Sequence, residues 1–577
     1  MDCPGSACTS LDVGGLRCCN RGVANAPASP IFLTRPRTVL LLLAIWLLAT
    51  LGLRPLLLPD EGRYANVARD LLLAWQSGTG DGVVPLLNGL PFFHKPPLLY
   101  WLDMLAMAAL GVNQFSARFA PFVGAWVMGA ALFMAVRRWH GAAAARASLL
   151  VLATCPFFFV GGQYANLDML VGGLITATVL AFARAVDGPF GEASNAAHNS
   201  SYSNTSNNSN TSNTRVAQGQ RSRRWMLTAW ALAAAAVLAK GLIGFVLPAL
   251  VIAPWLLAQR RWRDLLWLLQ PLGLLLFGLL ALPWFVLMQL RYPGFFDYFI
   301  MEQHFRRFAQ ASFNNVHPMW FYVAVLPLLT LPWSGWLPAS VTSVVQRWRG
   351  FNASDRAHFG FWLWWWVAVI GFFSLPSSKL VGYALPALAP WCAVLGVTLS
   401  SSGRVSGRLF KSTLALAVVA CLASVVLLAK PAAMTALKLK PPLSSKTVAA
   451  VLAAQIKPGD RVVFVDEMFY DLPLYAGLKQ PPVVASDWAD PSVPLRDNWR
   501  KELFDAARFD AARGRELLWP IARMNELTCG AGAAWFVLRQ ASLPGMASVP
   551  TAISVVGQGE VRLMRAPSRV CAAGPRP

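Results

Sequence analysis

The sequence predicts an α-helical polytopic membrane protein with a small C-terminal soluble α/β domain. Three observations predict it. The 577-residue chain is 56% hydrophobic and only 13% charged, with a mean hydropathy of +0.47. Several apolar runs reach the ~18–20 residues that cross a bilayer as a helix. Beyond about residue 430 those runs stop, and short β-type segments separated by turn residues take over.

The apolar stretches occupy 38–53, 115–136, 145–161, 168–186, 225–240, 241–258, 264–290, 320–340, 358–375, 380–399 and 409–429. The 225–258 and 264–290 regions divide in more than one way, so the expectation is about 11–13 transmembrane helices within residues 38–429. The 24 Trp suit membrane-interface belts, where an apolar ring carries one polar N–H. The net charge of +23 invites a nucleic-acid surface, but its distribution excludes one. Basic residues cluster between apolar runs: Arg137 and Arg138, Arg215 to Arg224, Arg260 to Arg263, Arg347 and Arg349, Arg404 to Lys411. That is the positive-inside pattern, and no soluble stretch interleaves basic and aromatic residues.

Those clusters place the N-terminus in the cytoplasm. Residues 1–37 read as a poorly ordered arm, not a cleavable signal, because no short apolar core precedes a small-residue cleavage site. Within a cytoplasmic loop spanning 187–224, the Asn/Ser/Thr tract 194–214 has too little apolar surface to fold. An odd span count then carries the C-terminus outside, and Asp60, Asp81, Asp168, Asp297 and Glu302 all fall on that outer side.

Residues 430–577 form the predicted outer domain. "RVVFVD" (461–466), "PVVA" (482–485) and "AAWFVLRQ" (533–540) read as strands, 552–566 as a hairpin turning on Gly557–Gly559, and 496–512 as helix. Cys529 and Cys571 lie here, and an oxidising compartment is compatible with a disulfide between them.

The first outer loop, 54–114, carries "DEGRYANVARD" directly after the first span. Tyr64, Val67, Ala68, Leu71 and Leu72 share a helical face, so this segment is expected to lie on the membrane interface. Asp60 and Tyr64, one turn apart, point the same way. In "FFHKPPLLYWLDML" the two prolines open a helix and hold His94 and Lys95 extended before it. Other outer junctions add Asp168, Lys240, Glu302, Arg306, Arg307, Lys379 and Tyr383. Each has a plainer explanation: helix capping for Asp60, Glu61 and Asp168, snorkelling for Lys95 and Lys240, interfacial anchoring for Lys379 and Tyr383, and headgroup binding for the arginines. Their collection on one membrane face favours a site for an anionic, lipid-borne substrate, with cations for phosphate and a carboxylate to activate or orient an acceptor.

"DEGRYA", "HKPPLLYW", "LD" at 167–168 and "SSK…GYALP" at 377–386 resemble, in this order, the GT-C polyprenyl-phosphate-sugar glycosyltransferases. Within that superfamily the likeness is to the lipid A 4-amino-4-deoxy-L-arabinose transferases, relatives of the protein O-mannosyltransferases. The resemblance implies a GT-C fold in the bacterial inner membrane, with its active site and C-terminal domain facing the periplasm. It implies a sugar donor linked to undecaprenyl phosphate, and lipid A or another envelope molecule as acceptor. Asp60 and Asp168 would be the active-site carboxylates. Arg63, Tyr64, Lys95, Lys240, Arg307, Lys379 and Tyr383 would attend the donor phosphate. This chain departs from the pattern at Asn66, where Glu is usual, and at His94 and Glu302, where Glu and His are usual. If those last two positions ligate a divalent metal, zinc or magnesium, the roles are exchanged here; the other reading is a His94–Glu302 hydrogen bond.

The expected reaction is inverting transfer without a nucleotide site, since neither a P-loop nor a strand–GxGxxG–helix unit is present. Protein O-mannosylation and lipopolysaccharide-core glycosylation are the nearest alternatives. A transporter would place its polar groups near the midplane and commonly show internal repeats; here they gather at one surface and no repeat is visible. A non-catalytic scaffold leaves the charges unexplained.

Overall fold

The computed structural model describes residues 35–186, 221–306, 316–436, 438 and 443–571. The N-terminal arm to residue 34, the loop 187–220 and Arg307 lie outside the described residues.

Every predicted apolar stretch becomes helical in whole or in large part. Among the described residues, six helices are long and apolar enough to cross a membrane, or seven if one sharply bent pair is a single span. Shorter apolar helices, Pro36–Leu48, Leu98–Leu110 and Ile243–Ala258, accompany them. This is a multi-pass membrane protein. The rim helices Pro271–Arg291 and Arg408–Ala429 expose Leu275, Leu279, Leu290, Leu416 and Val419, side chains that lipid covers at no cost. In the interior, Phe119–Ala153 crosses Leu167–Ala185 so closely that a Cβ on Gly173 would lie 2.0 Å from the Gly124 carbonyl oxygen. Glycine at both positions lets the two backbones touch.

Two spans differ from expectation. The first ends at Leu48, short of residue 53, because the chain turns there to deliver Arg54 into a buried ion pair. The stretches 115–136 and 145–161 are separate helices, as expected, meeting within Phe119–Ala153 at a kink where Gly141 takes a non-helical φ of 85°. The 320–340 stretch is no straight span: Phe321–Leu329 and Trp333–Gly350 meet at 102°. Pro332 lies in that break, and its missing N–H cannot continue a helical ladder.

The first outer loop folds as the helix Asp60–Gln76, a hairpin of Leu86–Leu87 and Leu90–Pro91, and the helix Leu98–Leu110. Asp60–Gln76 is enclosed by protein on more than its apolar face. Its apolar face is buried, but so are Glu61, Asn66 and Arg69 on other faces. The C-terminal domain provides the cover: the Tyr475 hydroxyl accepts from the Leu56 N–H at 2.7 Å, and the Leu443 carbonyl accepts from the Leu58 N–H at 3.0 Å.

That domain holds a six-stranded sheet in the order Leu518–Pro520, Val483–Ser486, Arg461–Val465, Ala534–Arg539, Val561–Ala566, Ile553–Gln558. The first four strands run parallel and the last two antiparallel. The hairpin turns at Gly559 and Glu560, one step beyond expectation, where Gly559 takes a left-handed φ of 55°. The predicted helix 496–512 is two helices, Trp499–Ala507 and Ala511–Leu517. Asn498 and Asp510 start them, each accepting from backbone N–H groups of the first turn. Cys529 and Cys571 form a disulfide with Cα atoms 5.6 Å apart.

Candidate active site

Glu61 organises the outer end of the helical body. Its carboxylate is fully buried and bonds the guanidiniums of Arg54 and Arg118. It also accepts from the N–H of Leu57 at 3.1 Å and of Ala165 at 2.8 Å. Burial alone would raise its pKa, but Arg118 and then Arg54 outweigh that and bring it down to about 2. Arg118 spends its remaining donors on the carbonyls of Leu51, Arg54 and Pro55. One carboxylate therefore fixes the exit of the first helix, the start of Asp60–Gln76 and the turn that leads to Asp168.

Asp60 opens its helix with its side chain 45% exposed, so it is the accessible carboxylate of the "DE" pair. Arg63 donates to its Oδ1 at 2.6 Å and bonds Glu502 of the C-terminal domain on its other side. Glu502 in turn accepts from the Tyr470 hydroxyl at 2.6 Å. Arg63 also lies 5.4 Å from the centre of the Tyr64 ring, and Tyr64 stacks on Tyr100. Burial raises the Tyr64 phenol well above its ordinary pKa; Arg63 opposes this, and Asp60 and Asp168 add to it. Tyr64 is thus a protonated hydroxyl within electrostatic reach of both predicted carboxylates.

Asp168 is not a helix cap. Asn166 takes that role, accepting from the Asp168 N–H at 3.0 Å, which leaves the Asp168 side chain for Lys240. Lys240, the last residue of Arg223–Lys240, bonds Asp168 and sits 4.4 Å from the centre of the Tyr383 ring. A Cβ on Gly382 would fall 2.2 Å from Asp168 Oδ2, so only glycine lets the 381–387 turn close on this carboxylate. Asp168, Lys240 and Tyr383 border a narrow cleft whose other walls include Val171, Ile175, Leu247 and Phe373.

The remaining predicted residues are placed differently. Lys240 is an ion-pair partner before it is a phosphate ligand. Lys379 is buried and donates to the carbonyls of His317, at 2.8 Å, and Pro376. It ties two chain segments together instead of facing outward. Lys95 is half-buried beside the buried His94. The neighbouring Phe92 and Phe93 are buried in protein: Phe93 packs on Tyr292, Phe295 and Phe509, and His94 stacks on Phe92 at 4.5 Å. Glu302 is bonded to Lys501 at 3.0 Å. Among the described residues, no three His, Cys, Asp or Glu side chains converge to hold a metal. A metal on Glu302 would have to displace an ammonium already there, so the donor set fits poorly and no chemical step is routed through one.

A family model for dolichyl-phosphate-mannose-protein mannosyltransferase matches residues 94–192. An undecaprenyl phosphate-alpha-4-amino-4-deoxy-L-arabinose arabinosyl transferase 2 of Pseudomonas fluorescens is 31% identical over 371 residues, 63% of this chain and 60% of that protein. A transferase named for the same reaction in Erwinia tasmaniensis is 30% identical over 364 residues, 62% of this chain and 59% of its own length. The matched region thus spans about 60% of such relatives. The crystal structure of ArnT from Cupriavidus metallidurans bound to undecaprenyl phosphate superimposes with a TM-score of 0.69 at 21% identity, covering 94% of this chain and 99% of that one. The chain shares the fold of that transferase.

Sequence reasoning singled out Asp60, Arg63, Tyr64, Asp168 and Tyr383, and the structure brings them to one end of the helical body. It missed the supporting roles of Arg118, Tyr470, Lys501 and Glu502. Glu61 had a local signal, a second carboxylate seven residues after Arg54. Glu502 and Lys501 had none, since their partners lie 439 and 199 residues away.

Proposed function

We propose that the protein is an integral-membrane glycosyltransferase that moves a sugar from undecaprenyl phosphate to an envelope acceptor, with lipid A phosphate as the leading choice. It would act in the bacterial inner membrane, with the site and C-terminal domain on the periplasmic side. The names of the relatives support the donor. The observation that carries the reading is the meeting of two cation-bound carboxylates, Asp60–Arg63 and Asp168–Lys240, around Tyr64. A mostly apolar cleft adjoins the second pair.

The acceptor oxygen attacks the anomeric carbon, and the bond from that carbon to the carrier phosphate oxygen breaks with its electron pair going to the phosphate. Charge grows on the leaving phosphate, so fixed cations lower the barrier most. Lys95, in the "HKPP" motif, and Arg307 are proposed for that role. If the acceptor is a hydroxyl, the exposed Asp60 takes its proton. If it is a phosphate monoester, already anionic, Asp60 instead orients Arg63.

The test is transfer by the full chain in proteoliposomes containing lipid A and undecaprenyl-phosphate aminoarabinose, read by mass spectrometry of lipid A. A pentose-sized gain that disappears with Asp60→Asn supports the reading. Unchanged transfer by Asp60→Asn removes Asp60 from it, and no gain on lipid A with the wild-type chain removes lipid A as the acceptor.

A further inference from the structure

The helix Trp499–Ala507 spans the junction between the C-terminal domain and the outer end of the helical body. Glu502 faces Arg63. Lys501, one position earlier, bonds Glu302 at 3.0 Å and Asp505 at 3.0 Å. Asp505 also accepts from the Tyr298 hydroxyl at 3.3 Å, and Phe509 packs on Phe93 and Tyr298 just beyond the helix. Lys501 is therefore wedged between a carboxylate of the 297–306 segment and one of its own helix, with its side chain 13% exposed.

Two carboxylates of different segments drawn to one point make a site that needs positive charge. Lys501 supplies it from within the chain. A divalent ion entering there would strand the ammonium in a mostly buried place, and an uncompensated buried charge is strongly unfavourable. His94 is held otherwise, stacked on Phe92 with its ring 5.9 Å from Tyr298.

We propose that Lys501 is a positioning residue whose ammonium holds the Glu302 segment against the C-terminal domain, and that this junction works without a divalent metal. The proposal goes beyond the transferase reading, and its first readout does not depend on it.

The experiment uses the full chain purified in detergent without chelator, as wild type, Glu302→Gln, Lys501→Met and Lys501→Arg. Plasma mass spectrometry should find zinc, magnesium and manganese far below one equivalent in wild type and Glu302→Gln alike. Lys501→Met should lower the unfolding midpoint, and Lys501→Arg, which keeps the charge, should restore most of it. Where transfer is measurable, Lys501→Met should lower kcat by about tenfold, Lys501→Arg should recover it, and chelator should leave wild type unchanged. One equivalent of metal lost in Glu302→Gln would overturn the proposal. So would a Lys501→Met protein with wild-type midpoint and kcat. If no variant transfers sugar, the transferase reading fails while metal content and midpoints still decide this one.

Discussion

The ammonium of Lys240 is bonded to the carboxylate of Asp168, joining the end of one helix to the start of another 72 residues away in sequence. Both side chains are mostly buried, and the Tyr383 ring covers the lysine. Neither charge is free to act alone, so disturbing the fit between them should be felt as lost function.

Gly382→Ala tests that fit. The added methyl would collide with Asp168 Oδ2, and the turn or the carboxylate must move. Overpacking of this kind costs about 1–3 kcal/mol. Transfer should fall at least about tenfold while the protein still elutes as a monodisperse peak on size exclusion. Wild-type transfer would mean that the position of Asp168 is immaterial.

Glu61→Gln should be among the most damaging single changes. It leaves Arg54 and Arg118 facing each other without a buried counter-charge, a loss of roughly 3–5 kcal/mol. The sign with pH follows. The folded pKa of Glu61 is lowered to about 2, so its contribution is complete above the ordinary carboxylate range and disappears as pH falls toward about 2. Wild type should lose thermal stability through that window, and Glu61→Gln should lose less of it. Scanning fluorimetry of both across pH reads the difference.

Glu502→Gln separates positioning from binding. Arg63 keeps Asp60 but loses its second carboxylate. The expected result is a fall in kcat of about tenfold with donor KM little changed, because Arg63 is displaced near the accessible carboxylate. A change confined to KM would instead make Glu502 part of the substrate pocket.

Asp471→Asn should stabilise the protein at neutral pH. Asp471 is fully buried with no cation beside it among the described residues; burial raises its pKa to about 6, against the opposing pull of donors from Ser444 and Ser445. As pH rises to about 6, the unfolded chain releases this proton before the folded one, so stability falls across that interval and stays lower above it. Asparagine cannot ionise. Its variant should melt higher at pH 7, by a gain of about 2–3 kcal/mol at most, and no higher at pH 4. Equal melting curves at both pH values would refute the assignment.

The helical body was legible because hydrophobic runs and basic clusters are local and repetitive. Even so, the bend between Phe321–Leu329 and Trp333–Gly350 was not anticipated, since apolar composition carries no direction. The segment Asp60–Gln76 was assigned to the membrane surface from its amphipathic face. That reasoning treated the polar face as wet, whereas Glu61 is buried against Arg54 and Arg118, and Arg63 is held by Glu502 of the C-terminal domain.

The sequence by itself determined the multi-pass helical class of the protein and the sheet-bearing C-terminal region, and it singled out Asp60, Arg63, Tyr64, Asp168 and Tyr383. These are matters of composition, period and short motif. Only the tertiary structure decided which charges stay accessible and which hold the scaffold. Glu61 is buried while the adjacent Asp60 is exposed, Lys240 and Lys379 are turned inward, and Glu502 and Lys501 arrive from the far end of the chain. The physical reason is that a charge takes its role from its partners and its solvent, and both are set by segments hundreds of residues apart.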